Sequence, residues 1–160
     1  MIVPGLTGEK GRDRMSDGDQ SWASSEGVRR SMQSNRPRDT RPEVALRSAL
    51  HAAGLRFRKN YRPVKGSRCE VDVAFTRWKV AVQLDGCFWH GCPQHATRPA
   101  TNEAWWAAKL DANIARDRRS DQMLTDAGWT VLRFWEHEVT DDIVTKVVDL
   151  IANRKSEVER

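Results

Sequence analysis

Residues 86–95 concentrate side chains that bind metals and transfer protons. Cys87, Cys92 and His95 lie together in this irregular, glycine-containing stretch. Structural zinc takes four sulfur or nitrogen ligands in a tetrahedron, so a fourth ligand must come from elsewhere in the chain. His137 is the best remaining candidate, because it follows a predicted strand. The other candidates are Cys69, His51 and His90. The alternative interpretation is a chance grouping of buried cysteines and surface histidines.

The same stretch places Phe88 and Trp89 directly before His90. Adjacent large aromatic residues on a glycine-flanked loop cannot all point into one core, and they suit a wedge that enters stacked bases. Trp105 and Trp106, at the start of a later helix, form a second pair of which only one can face the core. Ordinary packing is the alternative, and it is the favoured interpretation for Trp78, Trp129 and Trp135.

Two aspartates lie on neighbouring predicted strands. Asp72 is on the face opposite the apolar face of its strand, and Asp85 ends the next strand. If the strands form a hairpin, both carboxylates reach one side of the sheet, where oxygen ligands can hold Mg²⁺. Mg²⁺ can activate water and stabilise charge on a phosphodiester. Asp117, in the charged run 116–119 of a later helix, can point into the same site. Solvated strand ends and a solvated helix face are the alternative.

Hydrophobic periodicity predicts the elements that position these residues. A helix capped by Thr40 or Asp39 ends at Gly54. Its apolar stripe contains Val44, Leu46, Ala49, Leu50 and Ala53. Strands are predicted at 55–60, 69–75, 79–85 and 129–135, and further helices at 102–127 and 141–152. This order predicts an α/β fold with a mixed central sheet flanked by helices.

The composition is typical of a protein that meets a polyanion. The chain has 160 residues, which suits one domain, and a net charge of +5. Residues 41–80 carry ten basic and three acidic side chains, whereas residues 121–160 carry five and nine. Such an uneven distribution favours nucleic-acid binding through one face. Basic side chains that simply face water are the alternative.

Other protein classes are excluded by the sequence. No run of about 18 apolar residues is present, so no membrane span is predicted. No secretory signal is visible, and three cysteines indicate an intracellular metal site rather than a disulfide scaffold. We therefore expect a cytoplasmic, nucleoid-associated protein. Residues 1–27 are predicted to be a flexible arm and residues 28–155 the folded domain.

Several segments together resemble a known family. Asp85 and the following Gly-Cys-Phe-Trp-His-Gly-Cys-Pro closely resemble the signature of the very short patch repair (Vsr) endonucleases. Segments with the family's order and spacing include Asp39-Thr-Arg-Pro-Glu43, Val71-Asp72 and Ala127-Gly-Trp-Thr-Val-Leu-Arg-Phe-Trp-Glu136. The resemblance covers about residues 28–140.

The resemblance implies a fold like that of type II restriction endonucleases, with a structural zinc site. It implies Mg²⁺-dependent nicking of double-stranded DNA on the 5′ side of the thymine in a T·G mismatch, which arises when 5-methylcytosine deaminates. The expected protein is a monomer, with other repair proteins as candidate partners. A nuclease of the same fold acting on other mismatched, methylated or modified DNA is the alternative enzyme. A zinc-stabilised DNA-binding module with an inactive acidic site is the non-enzymatic alternative.

The resemblance also implies roles for individual residues. Asp72 resembles the primary magnesium ligand, and the backbone carbonyl of Leu84 is a second ligand. His90 resembles the histidine that activates water, with Glu43 and Asp117 as accessory acids. Where this chain has Leu84-Asp85, some members have Thr-His, so Asp85 supplies a carboxylate in place of an imidazole.

The remaining implied roles concern zinc and DNA. The zinc positions are Cys87, Cys92, His95 and His137. The residues expected to contact DNA are Met32, Phe88, Trp89, Trp106, Lys109, Asn113 and Arg116.

Overall fold

The computed structural model describes residues 38–158. Within these residues the elements are α1 (Arg41–Ala52), β1 (Arg58–Tyr61), β2 (Val71–Phe75), β3 (Val80–Asp85), α2 (Glu103–Asp126), β4 (Thr130–Trp135) and α3 (Thr140–Val158). This order confirms the predicted mixed α/β fold. The predicted arm at residues 1–27 and the predicted DNA-contacting residue Met32 lie outside the described residues.

The four strands form one sheet in the order β1-β2-β3-β4. β1 pairs with β2 and β2 with β3 in antiparallel fashion, so the predicted hairpin is confirmed, whereas β3 and β4 are parallel. One core cluster joins α1 and α3 to the sheet through Leu46, Leu50, Ile143 and Val147. A second cluster contains Leu124 near the end of α2. Both faces of the sheet are therefore covered.

Helix α1 begins with a reciprocal cap. The N–H of Glu43 donates to Oγ1 of Thr40, and the Glu43 carboxylate accepts the Thr40 hydroxyl and the Asp39 N–H. These bonds satisfy donors that the first helical turn leaves without partners. The prediction that Val44 belongs to the buried stripe is wrong, because its side chain is 49% exposed. Residue 44 lies about 200° around the helix from buried Leu46.

The predicted regular alternation of β2 fails at Asp72. The last register pair of the β2–β3 ladder at this end joins Val73 to Val82. Beyond it, side chains replace backbone partners: the Asp72 N–H donates to Oε1 of Gln83, and the Leu84 N–H donates to Oδ2 of Asp72. Val71 packs in the second cluster rather than with Val73. The two strands thus separate where the predicted metal ligands lie.

Several element boundaries differ from those predicted. β1 begins at Arg58 rather than at 55, and α3 continues to Val158 rather than ending at 152. Asn102 is the N-cap residue of α2, but it adopts a left-handed conformation with φ 56° and its side chain makes no capping bond. No helix between residues 38 and 158 has the length and apolar character needed to cross a bilayer.

Candidate functional site

A cavity of about 980 Å³ lies at the end of the sheet where β2 and β3 separate. Its wall combines strand ends, the start of α1, the loop after β3 and the middle of α2. The sequence-predicted residues that line it are Glu43, Asp72, Leu84, Asp85, Phe88, Trp89, His90, Asn113 and Arg116. Residues far apart in the sequence therefore meet in one place, as expected from the pairing of β2 with β3.

Asp72 is a mostly buried carboxyl group in this cavity. Burial raises its pKa from 3.8 to about 6, and the nearby charges of Glu43 and Asp85 act in the same direction. The hydrogen bond from the Leu84 N–H and the charge of Arg47 lower this pKa, but they do not compensate. A buried carboxylate that carries this electrostatic penalty gains from a nearby cation.

His90 forms a close pair with Asp117. Its Nδ1 lies 2.6 Å from Oδ2 of Asp117 and 3.7 Å from Oδ1 of Asp85. An ionised carboxylate only accepts hydrogen bonds, so Nδ1 donates, and the lone pair of the neutral ring lies on Nε2. The imidazole is 30% exposed. This arrangement can accept a proton at Nε2 while Asp117 stabilises the resulting charge.

Asp85 has a different environment from Asp72. Both of its carboxylate oxygens lie within hydrogen-bond distance of Nη1 of Arg133, at 2.6 and 2.7 Å. The Arg133 side chain also reaches Asp121, with Nε 2.8 Å from Oδ2. The side chain of Asp85 is only 11% exposed. Its negative charge is therefore directly compensated by a guanidinium.

Glu43 was predicted as an accessory acid. In the structure its carboxylate accepts the hydrogen bonds that cap α1. Besides its capping bonds, its Oε2 lies 3.4 Å from Nη1 of Arg47, one turn later. Glu43 is buried and close enough to Asp72 to raise the pKa of that residue. The first turn of α1 thus contributes negative charge to the cavity.

The aromatic residues form one cluster rather than separate exposed rings. Phe88 and Trp89 pack edge to face, with ring centroids 4.9 Å apart, and both contact Trp106. Only one ring of the Trp105–Trp106 pair faces the core, as expected: Trp106, which was expected to contact DNA, is 3% exposed, whereas Trp105 is 44% exposed. Trp106 belongs to the buried face of α2, next to Leu110. It supports Phe88 and Trp89, which are half-buried and line the cavity.

Three further residues predicted to contact DNA lie along α2. Nδ2 of Asn113 donates to the carbonyl of Trp89, and Asn113 is buried. Arg116 is exposed and lines the cavity, and Lys109 is exposed. In this structure Asn113 holds the loop 86–95 through the backbone of Trp89. The side chains of Lys109 and Arg116 are accessible to a ligand.

A Cys/His cluster lies beside the cavity. One ligand atom from each of Cys87, Cys92, His95 and His137 can be chosen so that all lie within 4.8 Å of one another. Nδ1 of His137 is 3.1 Å from the Cys87 sulfur and 3.8 Å from the Cys92 sulfur. Zinc–sulfur and zinc–nitrogen bonds of about 2.3 and 2.1 Å imply tetrahedron edges of roughly 3.3–3.8 Å. The set of two sulfur and two nitrogen donors suits zinc, and the separations, which run from 3.1 Å up to 4.8 Å, match these edges in part.

The thiol chemistry of the cluster also fits a metal site. Burial, together with the adjacent Cys92, raises the pKa of Cys87 to about 11. The N–H of Cys87 donates to Oε1 of Glu136, which itself lines the cavity. A zinc ion would deprotonate both thiols and fix the loop that carries His90. Cys69, His51 and His90 are not members of this cluster.

Two residues that organise the site were not predicted from the sequence. Arg133 connects β4 to Asp85. Glu136, just after β4, accepts a hydrogen bond from the N–H of Cys87 in the loop 86–95. The available signal for Arg133 was a single charge between Leu132 and Phe134 in an otherwise apolar strand, which predicts an internal ion pair. Glu136 carried no comparable signal.

Comparisons with known proteins support an endonuclease. A family model described as "DNA mismatch endonuclease Vsr" matches residues 24–96. The chain is 52% identical to "Type II nicking enzyme V.NaeI" of Lentzea aerocolonigenes over 127 residues. This alignment covers 78% of this chain and 76% of that protein. This chain belongs to the Vsr family. Another Vsr relative is "DNA mismatch endonuclease Vsr" of Escherichia coli (strain K12), 33% identical over 116 residues, with coverage of 68% of this chain and 72% of the relative.

A solved structure resembles this Vsr-family fold. The catalytic domain of the homing endonuclease I-Bth0305I superimposes with a TM-score of 0.50 and 17% identity, covering 72% of this chain and 97% of that domain. This likeness describes the fold alone. The predicted likeness to type II restriction endonucleases stays a prediction.

Proposed function

We propose that this Vsr-family chain nicks double-stranded DNA on the 5′ side of the thymine in a T·G mismatch, in a Mg²⁺-dependent reaction. The observation that carries the proposal is the meeting of Asp72 and His90, whose Nδ1 is paired with Asp117, in one cavity lined by aromatic residues. The names of the relatives, which describe mismatch and nicking endonucleases, agree with it. The biological role would be repair of deaminated 5-methylcytosine.

The magnesium ligands in this proposal are the Asp72 carboxylate and the Leu84 carbonyl. Both supply oxygen, the donor that Mg²⁺ prefers, and the raised pKa of Asp72 means that a cation would relieve an existing electrostatic penalty. When bound there, Mg²⁺ would supply positive charge to the scissile phosphate. Glu43 adds negative charge nearby and suits hydrogen bonds to water molecules around the ion.

His90 is the proposed general base. Asp117 holds its Nδ1, so Nε2 is the atom that takes the proton of the attacking water. As the ring becomes positively charged, the carboxylate at 2.6 Å stabilises it without changing position. Arg116, exposed at the cavity, suits contact with a backbone phosphate.

Mismatch selection is assigned to Phe88 and Trp89. A wedge that separates stacked bases must offset the cost of unstacking them, and that cost is lower at a weakly paired T·G than at a matched pair. Trp106 supports the wedge from below, and Asn113 anchors the Trp89 backbone. A wedge fixed in this way loses little side-chain entropy on binding.

Zinc at the cluster of Cys87, Cys92, His95 and His137 is proposed to be structural. Four protein ligands close the coordination shell, which is typical of a structural rather than a catalytic zinc. The zinc would hold the loop 86–95, and hence His90 and the wedge, in place.

The proposal is tested by strand-specific cleavage of duplexes that contain T·G in varied sequence contexts, with matched and methylated controls. We expect Mg²⁺-dependent nicking of the thymine strand at T·G only. Asp72→Ala and His90→Ala should abolish nicking while binding persists, whereas Asp111→Ala and His51→Ala, at exposed positions, serve as matched controls. Equal cutting of matched duplexes would refute the mismatch specificity. Absence of nicking by the wild type with Mg²⁺ or Mn²⁺ would refute the enzymatic proposal.

A further inference from the structure

The guanidinium of Arg133 lies among three carboxylates from two other elements. Nη1 is 2.6 Å from Oδ1 of Asp85 at the end of β3. Nε is 2.8 Å from Oδ2 of Asp121 on α2, and Nη2 is 3.7 Å from Oδ1 of Asp117, one helical turn earlier. One side chain of β4 therefore connects the end of the neighbouring strand to the helix that carries the partner of His90.

Arg133 is linked to His90, the proposed general base, through Asp117 and Asp85. Asp117 directs Oδ1 toward Arg133 and Oδ2 toward Nδ1 of His90. Asp85 is bonded to Arg133 and lies 3.7 Å from the same ring nitrogen. Two carboxylates beside one imidazole nitrogen repel each other, and a cation shared between them allows both to remain. Arg133 meets this requirement.

The ion pair is protected from water, which strengthens it. The side chains of Arg133 and Asp85 are 22% and 11% exposed. Burial alone would lower the pKa of Arg133, but the bonds and charges of Asp121 and Asp85 raise it above its usual value. The guanidinium is thus charged at every pH at which the protein is folded, and its planar fork fixes the direction of each bond.

We propose that Arg133 is a positioning residue for the nicking reaction, holding Asp117 against His90 and keeping Asp85 as an anchor rather than a magnesium ligand. The role of His90 in this inference rests on the proposed function. Arg133 lies outside the lining of the cavity, so it acts through Asp117 and Asp85 and not on the substrate.

The first test compares Arg133→Met and Arg133→Lys with wild type in single-turnover nicking of a T·G duplex at saturating enzyme. We expect Arg133→Met to lower the rate by about 10–100-fold, with the dissociation constant for the duplex changed by less than about threefold. Arg133→Lys keeps the charge but not the fork, so it should recover only part of the rate. Arg77→Met, at an exposed turn far from the cavity, is the matched control.

The second test removes one of the two repelling acids. Asp85→Asn in the Arg133→Met background should raise the rate at least about fivefold above Arg133→Met alone, because Asp117 then faces His90 without a competing charge. If Asp85 is a magnesium ligand, the double variant will be slower than either single variant, and that result overturns the proposal. If Arg133→Met does not fold, the same comparison is made in Arg133→Lys.

A third measurement does not depend on nicking. In ¹⁵N NMR spectra, the neutral His90 ring of the wild type should be the tautomer with a proton on Nδ1, assigned with His90→Gln. In Arg133→Met we expect a mixture of tautomers, because Asp117 is no longer fixed. Identical His90 spectra in the two proteins would overturn the positioning role. If the wild type does not nick T·G but the spectra differ, the proposed function fails, whereas the positioning of the His90 ring by Arg133 through Asp117 stands without its link to nicking.

Discussion

Replacing Asp72 by asparagine should stabilise the magnesium-free protein while abolishing its proposed activity. Asparagine has nearly the same shape, and its carbonyl oxygen can still accept the Leu84 N–H that Oδ2 accepts now. What the substitution removes is a buried negative charge close to the charges of Glu43 and Asp85. Selection for function, not for stability, would explain a charge in this place.

The size of the effect follows from the pKa of Asp72. Folding raises this pKa from 3.8 to about 6, so the folded state binds the proton more tightly than the unfolded chain. The stabilisation by protonation is complete below pH 3.8 and is lost as the pH rises to about 6. At about 1.4 kcal/mol per pKa unit, the ionised wild type is destabilised by about 3 kcal/mol at pH 7.5 and by roughly half of that at pH 5.

Urea unfolding followed by tryptophan fluorescence measures this difference, in a buffer that contains no magnesium and no chelator, so that the proposed zinc site is not stripped. We expect Asp72→Asn to exceed the wild type by up to about 3 kcal/mol at pH 7.5, with a smaller gap at pH 5. Asp111→Asn, an exposed position on α2, should change stability by less than about 0.5 kcal/mol. Added Mg²⁺ should stabilise the wild type and leave Asp72→Asn unchanged.

Two outcomes would refute this reasoning. One is an asparagine variant that is no more stable than the wild type at pH 7.5. The other is a stability gap that is the same at pH 5 and pH 7.5, which would show that the benefit does not come from the charge of Asp72.

Four further predictions concern zinc, the base and the core. Cys92→Ser should reduce bound zinc, measured by elemental analysis, and lower the melting temperature. Because burial raises the pKa of Cys87, zinc uptake must release protons, and apparent zinc affinity in competition with a chromophoric chelator should rise between pH 6 and 8. Asp117→Asn should slow single-turnover nicking about 10–100-fold with near-unchanged duplex binding. Leu50→Ala, at a fully buried position, should cost about 3 kcal/mol in urea unfolding.

The order of elements was predictable because each helix and strand shows its hydrophobic periodicity within its own short segment of sequence. The boundaries of β2 were less predictable, because side chains of Asp72 and Gln83 take over backbone hydrogen bonds there. Nothing in a strict alternation of apolar and polar residues signals such an exchange. Val44 was likewise predicted to be buried because it is apolar. Its side chain is exposed because it lies about 200° around the helix from buried Leu46.

Site residues that lie close together in one sequence motif could be predicted. Site residues that come together only when the chain folds could not. Cys87, Cys92 and His95 come from one loop, and spacing alone suggested them. The contact of Arg133 with Asp85 and Asp121 depends on the parallel pairing of β3 with β4 and on the packing of α2. Likewise, whether Trp105 or Trp106 is buried depends on how α2 rotates against the aromatic loop, which sequence spacing does not define.

The loop 86–95 has a consequence for how such an enzyme can diversify. It supplies three of the proposed zinc ligands, the proposed base and the proposed wedge, and at Gly91, where φ is +71°, an added Cβ would be 2.9 Å from Cδ1 of Ile114 on α2. With these proposed roles in one loop, a substitution at Gly91 or at a proposed ligand, base or wedge position is expected to affect folding, catalysis and mismatch entry together. A preference for different bases around the mismatch has to evolve through other parts of the chain. Exchanging surface segments between relatives, with this loop left intact, is the practical route to altered context specificity.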